Sequence, residues 1–221
     1  MLPGGNFPSR TGIGPISLWS FAGLAAAVLT ALAFGPRPGF AQTPEMMRVR
    51  GSVIGFDGSA LIVKTRQGTD VTIKLADKVR LIGVTRASIS DIKPGVFIGT
   101  AAMPKDGSAA RALEVQVFPE SLRGVGEGDH PWDLQPGSTM TNGTIASAVE
   151  GVDGRTVTVV YKGGERKVTI GPDTPIVAFG PADRSDIKPG AAVFSTTQKQ
   201  ADGSWTAGFL AVGKNGVVPP M

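Results

Sequence analysis

The one histidine of the 221-residue chain, His130, lies in an acidic stretch with Glu127, Asp129 and Asp133. Three carboxylates beside an imidazole offer the oxygen and nitrogen donors that a hard divalent ion accepts. A zinc site of the usual kind needs several His or Cys ligands, and the chain has no cysteine. The spacing of the four residues follows no established ligand loop. The expectation is therefore a hydrated polar loop, with loose binding of a divalent ion as the alternative. Trp132, between His130 and Asp133, is expected to pin this stretch to a neighbouring surface.

Other chemistries lack their residues. A Ser–His–Asp arrangement would have to recruit His130 from a stretch rich in Gly and Pro, and no Gly-x-Ser-x-Gly elbow occurs. The absence of cysteine removes thiol nucleophiles, disulfides and a lipid-modified N-terminal cysteine. There is no phosphate-binding loop and no dinucleotide fingerprint. The reading is a protein without catalytic activity and without a cofactor. The formal charge of +4 includes Arg10 and Arg37, so residues 42–221 carry 20 basic and 18 acidic residues. That near balance is too weak a footprint to predict a nucleic-acid partner.

The elements that would position these residues come in two copies. Ser90-Asp91-Ile92-Lys93-Pro94-Gly95 recurs unchanged from Ser185 to Gly190. Asp57-Gly58 returns at Asp153-Gly154, Gly68 at Gly164, Asp77 at Asp173 and Asp106-Gly107-Ser108 at Asp202-Gly203-Ser204, all 95 or 96 residues on. Five landmarks in register predict an internal duplication, with modules at residues 48–118 and 140–213.

Within each module the apolar residues alternate. Leu61, Val63 and Thr65, then Val71, Ile73 and Leu75, take one face, as do Val157, Val159 and Tyr161 in the second copy; Leu113, Val115 and Val117 make a further strand. Period two puts one side of each strand in a core, and Asp-Gly or Gly-Gly pairs between the runs favour tight turns. The repeated hexapeptide reads as a one-turn helix leading into a strand, because Ser and Asp bond backbone amides and Pro halts the turn. The predicted fold is all-β: two tandem OB-like barrels of five or six strands, with an open sandwich as the alternative and residues 119–139 as a Gly/Pro-rich linker of little regular structure. Most aromatics, among them Phe56, Phe97, Phe118, Phe179, Phe194, Trp205 and Phe209, are expected in the cores.

The chain opens differently. Arg10 precedes an apolar run over residues 16–34, then Gly35-Pro36 and the small-residue exit Gly39-Phe40-Ala41. This is the layout of a secretory signal peptide at residues 1–41, with cleavage expected after Ala41 and no membrane span afterwards. An uncleaved anchor is the alternative.

Several runs also resemble one family. Gly51-Ser52-Val53-Ile54 with the Asp57-Gly58 turn, Lys93-Pro94-Gly95, Asp106-Gly107-Ser108 and Leu113-Glu114-Val115-Gln116-Val117-Phe118 look like a bacterial exported family of unknown function. Phe118-Pro119-Glu120-Ser121-Leu122-Arg123-Gly124, Met140-Thr141-Asn142 and Pro219-Pro220-Met221 are similar to its two-module branch. The resemblance implies small OB-like β modules and a periplasmic or secreted location, and no catalytic residue. The function expected is a non-catalytic binding or structural module of the cell envelope, its partner an envelope protein or glycan. The alternative is a small-ligand or divalent-metal binder that uses the linker.

Overall fold

The computed structural model describes residues 45–105, 108–152 and 154–220. The expected signal segment and its cleavage site lie outside these residues, as do Asp106, Gly107 and Asp153 of the expected turns. The described chain is all-β, and no helix in it is long and apolar enough to cross a membrane.

Twelve strands follow one another. They are β1 (Met46–Phe56), β2 (Ala60–Thr65), β3 (Asp70–Arg86), β4 (Phe97–Met103), β5 (Ala110–Val117) and β6 (Gly128–Pro131). Then come β7 (Thr139–Gly151), β8 (Gly154–Tyr161), β9 (Gly164–Ile170), β10 (Ile176–Pro181), β11 (Ala192–Lys199) and β12 (Trp205–Gly213). The expected alternation holds: Leu61, Val63, Ile73, Val157 and Val159 are fully buried, while Ile62 and Lys64 face outward.

The strands close differently from two self-contained modules in tandem. β1, β2 and β3 form an antiparallel meander, and β1 takes β11 on its other side. β11 pairs with β12, and β12 runs parallel to β3, which closes a five-stranded barrel. Two of its strands thus come from the far half of the chain. The other strands reciprocate: β7, β8 and β9 make a meander, β4 joins β7, and β5 pairs with β4 and, through Ala110 and Arg111, runs parallel to β9. The segment at 48–118 therefore supplies three strands to one ring and two to the other.

The exchange follows from the length of β3. Its seventeen residues run past the barrel, so that Ile82 to Arg86 pair antiparallel with Pro181 to Val177 of β10. That ladder maps onto itself when every residue is moved by 95: Ile82↔Pro181 becomes Val177↔Arg86. Crossing here carries the chain into the opposite ring before each hexapeptide.

Each hexapeptide then forms a short 3-10 turn, at Ile89–Asp91 and Arg184–Asp186. Asp91 closes the first by accepting from the Ser88 amide, and Asp186 closes the second by accepting from the Asp183 amide. Both capping arrangements satisfy amides that the first turn of a helix leaves unpaired. Ile187, from the second turn, packs with Val53, Leu61, Val63 and Ile73, whereas Ile92, from the first, packs with Ile145, Val157, Val159 and Val168. A third cluster joins the rings, built on Ile82, Val84, Val177, Phe179, Phe194 and Ala211.

Residues 119–139 carry more structure than expected of a loop. A 3-10 turn at Glu120–Leu122 and strand β6, paired with β7, lie within them. Leu122 and Trp132 pack against the joining cluster. Gly126 and Gly128 take φ of +61° and +133°, where a side chain would be strained, and bend the chain into β6.

Candidate functional site

A pocket of about 410 Å³ opens beside the cluster that joins the rings. Strand β3 brings Lys78, Arg80 and Ile82 to it at every second position, β5 brings Gln116, and Phe179 comes from β10. Phe118 stands edge-on to Phe97 at 5.4 Å and to Phe179 at 4.9 Å between ring centres, a geometry that aromatic quadrupoles favour. Phe209 of β12 completes the aromatic wall, and Leu122, His130 and Trp132 enter from residues 119–139.

The five residues singled out from the sequence do not converge on one point. Glu127 accepts the Lys162 amide through Oε1 at 3.0 Å. Asp129 accepts from the Thr141 hydroxyl and from Arg166 Nη1, both at 2.6 Å, and is half-buried. Asp133 receives both guanidinium nitrogens of Arg50, at 2.7 and 3.1 Å, with Arg48 at 3.6 Å. The Arg50 hydrogen bonds, with the charges of Arg50 and Arg48, hold its carboxyl below the ordinary range. Asp129 and Asp133 are thus each neutralised by their own arginine, and Glu127 is spent on a backbone amide. Among the described residues no three His, Asp or Glu side chains form a group that could hold a metal ion.

Trp132 is half-buried, 6.3 Å from Phe194 between ring centres, with the Arg48 guanidinium 4.1 Å over its own ring. The turn behind it is closed by Ser138, whose carbonyl oxygen accepts the Trp132 amide N–H at 2.8 Å and whose hydroxyl donates to Gln135 O at 2.7 Å. β1 places Arg48 and Arg50 on one face, so Trp132 and Asp133 together clamp residues 119–139 to the barrel that β6 does not join. His130 is exposed at the mouth of the pocket.

A second polar group lies behind the pocket wall. Glu114 of β5 is fully buried; Gln116 Nε2 donates to its Oε1 at 2.9 Å, and its Oε2 has no partner among the described residues. Burial pushes its carboxyl up to about 7, against the pull of Gln116, Arg50 and Arg66. Two further polar atoms at the pocket are buried without a partner among the described residues, Trp132 Nε1 and Asn142 Oδ1. Each such atom costs about 1–3 kcal/mol relative to a bonded one.

Lys78, Arg80 and Gln116 were not singled out from the sequence, and Phe118, Phe179 and Phe209, expected in the cores, line the pocket. Glu114 and Gln116 alternate with Val115 and Val117 and so look like the wet face of a strand. The contrary signal is their counterparts 95 residues on, Phe209 and Ala211, because apolar residues at both positions mark that face as covered.

A larger groove of about 890 Å³ runs past the β7–β8 hairpin. Its acid–base pair is occupied, since Arg155 binds Glu150 and also donates to the carbonyls of Ile89 and Ile92, both at 2.7 Å. Compared with known proteins, the chain matches no family model, no curated protein and no solved structure.

Proposed function

We propose that the chain is a non-catalytic binding protein of the bacterial cell envelope, exported by its first 41 residues, whose ligand site is the pocket between the rings. In this reading two OB-like barrels, related by duplication, exchange their last two strands. The strand order β1-β2-β3-β12-β11, with a short turn ahead of β11, is the order of an OB barrel and supports that assignment.

The pocket carries the functional reading. Its volume falls within the range of small-molecule sites, which are mostly apolar with a few placed polar groups. Its lining includes one imidazole and neither a carboxylate nor a hydroxyl side chain, so a bound molecule would meet walls suited to holding it and no acid–base pair. Binding through residues 119–139 as a metal site draws no support from carboxylates already engaged by Arg166, Arg50 and the Lys162 amide.

The test is a neutral apolar fluorophore, N-phenyl-1-naphthylamine, titrated into the purified protein. Saturable binding at one site is expected, and Gly208→Phe should abolish it, because Gly208 lines the pocket and a Cβ there meets nothing within 4 Å. Absence of saturable binding, or binding untouched by that substitution, would sink the reading.

A further inference from the structure

The charges at the mouth of the pocket narrow the ligand. Lys78 and Arg80 project from alternate positions of β3, on the face that carries Ile82 into the pocket. Among the described residues neither has an ion-pair or hydrogen-bond partner, whereas Arg48, Arg50, Arg123, Arg155 and Arg166 are all engaged by carboxylates. His130 stands at the same mouth and no acid lines it. Two unneutralised cations thus stand at the rim of an apolar slot. They attract anions and repel cations at that rim.

Behind the rim the surface is apolar. Ile82, Phe118, Phe179 and Phe209 form walls that gain from removing hydrocarbon from water, in proportion to the area covered. Charge and wall together define one chemistry: a hydrocarbon body in the slot with a negative head left at the water boundary.

We propose, resting on the small-ligand reading above, that the pocket binds an amphipathic organic anion, its apolar body against Phe118, Phe179 and Phe209 and its acidic head at Lys78 and Arg80. A carboxylate is sufficient for the head, because Arg80 can offer it two parallel N–H donors and Lys78 a point charge. The cations stand at the exposed rim and the aromatic wall lies behind them, so the head stays at the rim and the tail goes in.

The experiment displaces N-phenyl-1-naphthylamine with three molecules of one chain length: decanoate, decanol and decyltrimethylammonium. Decanoate is expected to bind about tenfold more tightly than decanol, the worth of two partly exposed charge contacts. The cation should be the weakest of the three. In Lys78→Gln/Arg80→Gln the preference for decanoate over decanol should fall to about twofold, and raising the salt from about 0.05 to 0.5 M should weaken decanoate selectively. An unchanged melting temperature and circular dichroism spectrum in that variant show that the protein is still folded. If decanoate and decanol displace the dye equally, or the double variant keeps the preference, the anion is wrong while the binding site stands. If nothing displaces the dye and the dye itself does not bind, the small-ligand reading fails and this inference with it.

Discussion

Val84 and Phe179 pair across the junction of the two rings, 95 residues apart, at the centre of a ladder that is its own image under that shift. The parallel pairings beside it obey the same rule: Ile176↔Val115 on one side answers Leu81↔Leu210 on the other. These pairings are therefore symmetric under a shift of 95, and each half of the chain lends two strands to the ring of the other half, around the apolar cluster at Phe179.

The trade has a consequence for fragments. Residues 45–118 contain β1 to β5 but lack the β11 and β12 that close their barrel in the intact chain. Expressed alone, this fragment should show no cooperative melt as a monomer, or should dimerise by exchanging β4 and β5 with a second copy. Mixing it with residues 119–220 should restore a 1:1 complex. Light scattering and a thermal melt decide the matter; a monomeric, cooperatively folded 45–118 would count against the exchange.

Gly51 and Gly143 occupy matching places in β1 and β7. A Cβ on the first would strike the Lys64 carbonyl oxygen, and on the second the Val160 carbonyl oxygen, each on the neighbouring hairpin strand. Backbone cannot step aside as a flexible side chain can. Gly51→Ala and Gly143→Ala should therefore each destabilise by about 1–3 kcal/mol, the usual range for forced overpacking. Urea midpoints measure this, and a neutral effect at either site would argue against the equivalence of the two strands.

Much of the architecture was legible, and its closure was not. The alternation at Leu61, Val63 and Ile73 is set by each strand's own residues, and so it reads directly from the chain. Whether β3 closes on β5 or on β12 is different. Positions 95 apart carry similar residues, such as Val115 and Leu210, or Ala112 and Ala207, so both closures satisfy the same core. What separates them is that β3 runs straight through Ile82–Arg86, a long-range pairing that no local pattern reveals. The pocket was hidden for the same reason, because Lys78, Gln116 and Phe209 meet only after the exchange. The stretch from Glu127 to Asp133 stood out by residue type, yet Arg50, Arg166 and the Lys162 amide, which engage its acids, lie up to 83 residues away.

Trp132 should be what keeps residues 119–139 in place. It packs on Phe194 and under Arg48, while Asp133 holds Arg50. Trp132→Ala should cost about 2 kcal/mol, less than a full core truncation because the ring is only half-buried. Limited proteolysis should speed up between residues 119 and 139 while both barrels keep their sheet signal by circular dichroism. Unchanged cleavage there would show that β6 alone orders the segment.

A divalent ion should add nothing to stability. An ion that binds only the native state at a hundredfold excess over its dissociation constant would contribute about 2.7 kcal/mol, a shift of several degrees in melting temperature. Calcium, magnesium, zinc and nickel are each expected to leave the melt unmoved, since displacing Arg166 from Asp129 or Arg50 from Asp133 would break pairs at 2.6 and 2.7 Å. A metal-dependent rise abolished by His130→Ala would make the acidic stretch a metal site after all.

Glu114 should make the fold less stable as the solution turns alkaline. Its carboxyl titrates near 7 in the folded protein against 4.5 as an ordinary glutamate, chiefly because burial disfavours the charged form. The folded state therefore holds the proton more tightly than the unfolded one. The sign follows from linkage: the stabilisation is fully present below about pH 4.5, declines as the pH rises, and is lost above about pH 7. The whole swing is on the order of 3 kcal/mol, since each tenfold gain in proton affinity on folding is worth about 1.4 kcal/mol. Glu114→Gln keeps the shape and an acceptor for Gln116 but has no proton to lose. It should flatten the slope of unfolding free energy between pH 5 and 7 and leave the variant more stable than the parent at pH 8. Denaturant titrations across that range measure both effects. An unaltered slope in Glu114→Gln would place the titration on another group and remove the buried, protonated carboxyl from behind the pocket wall.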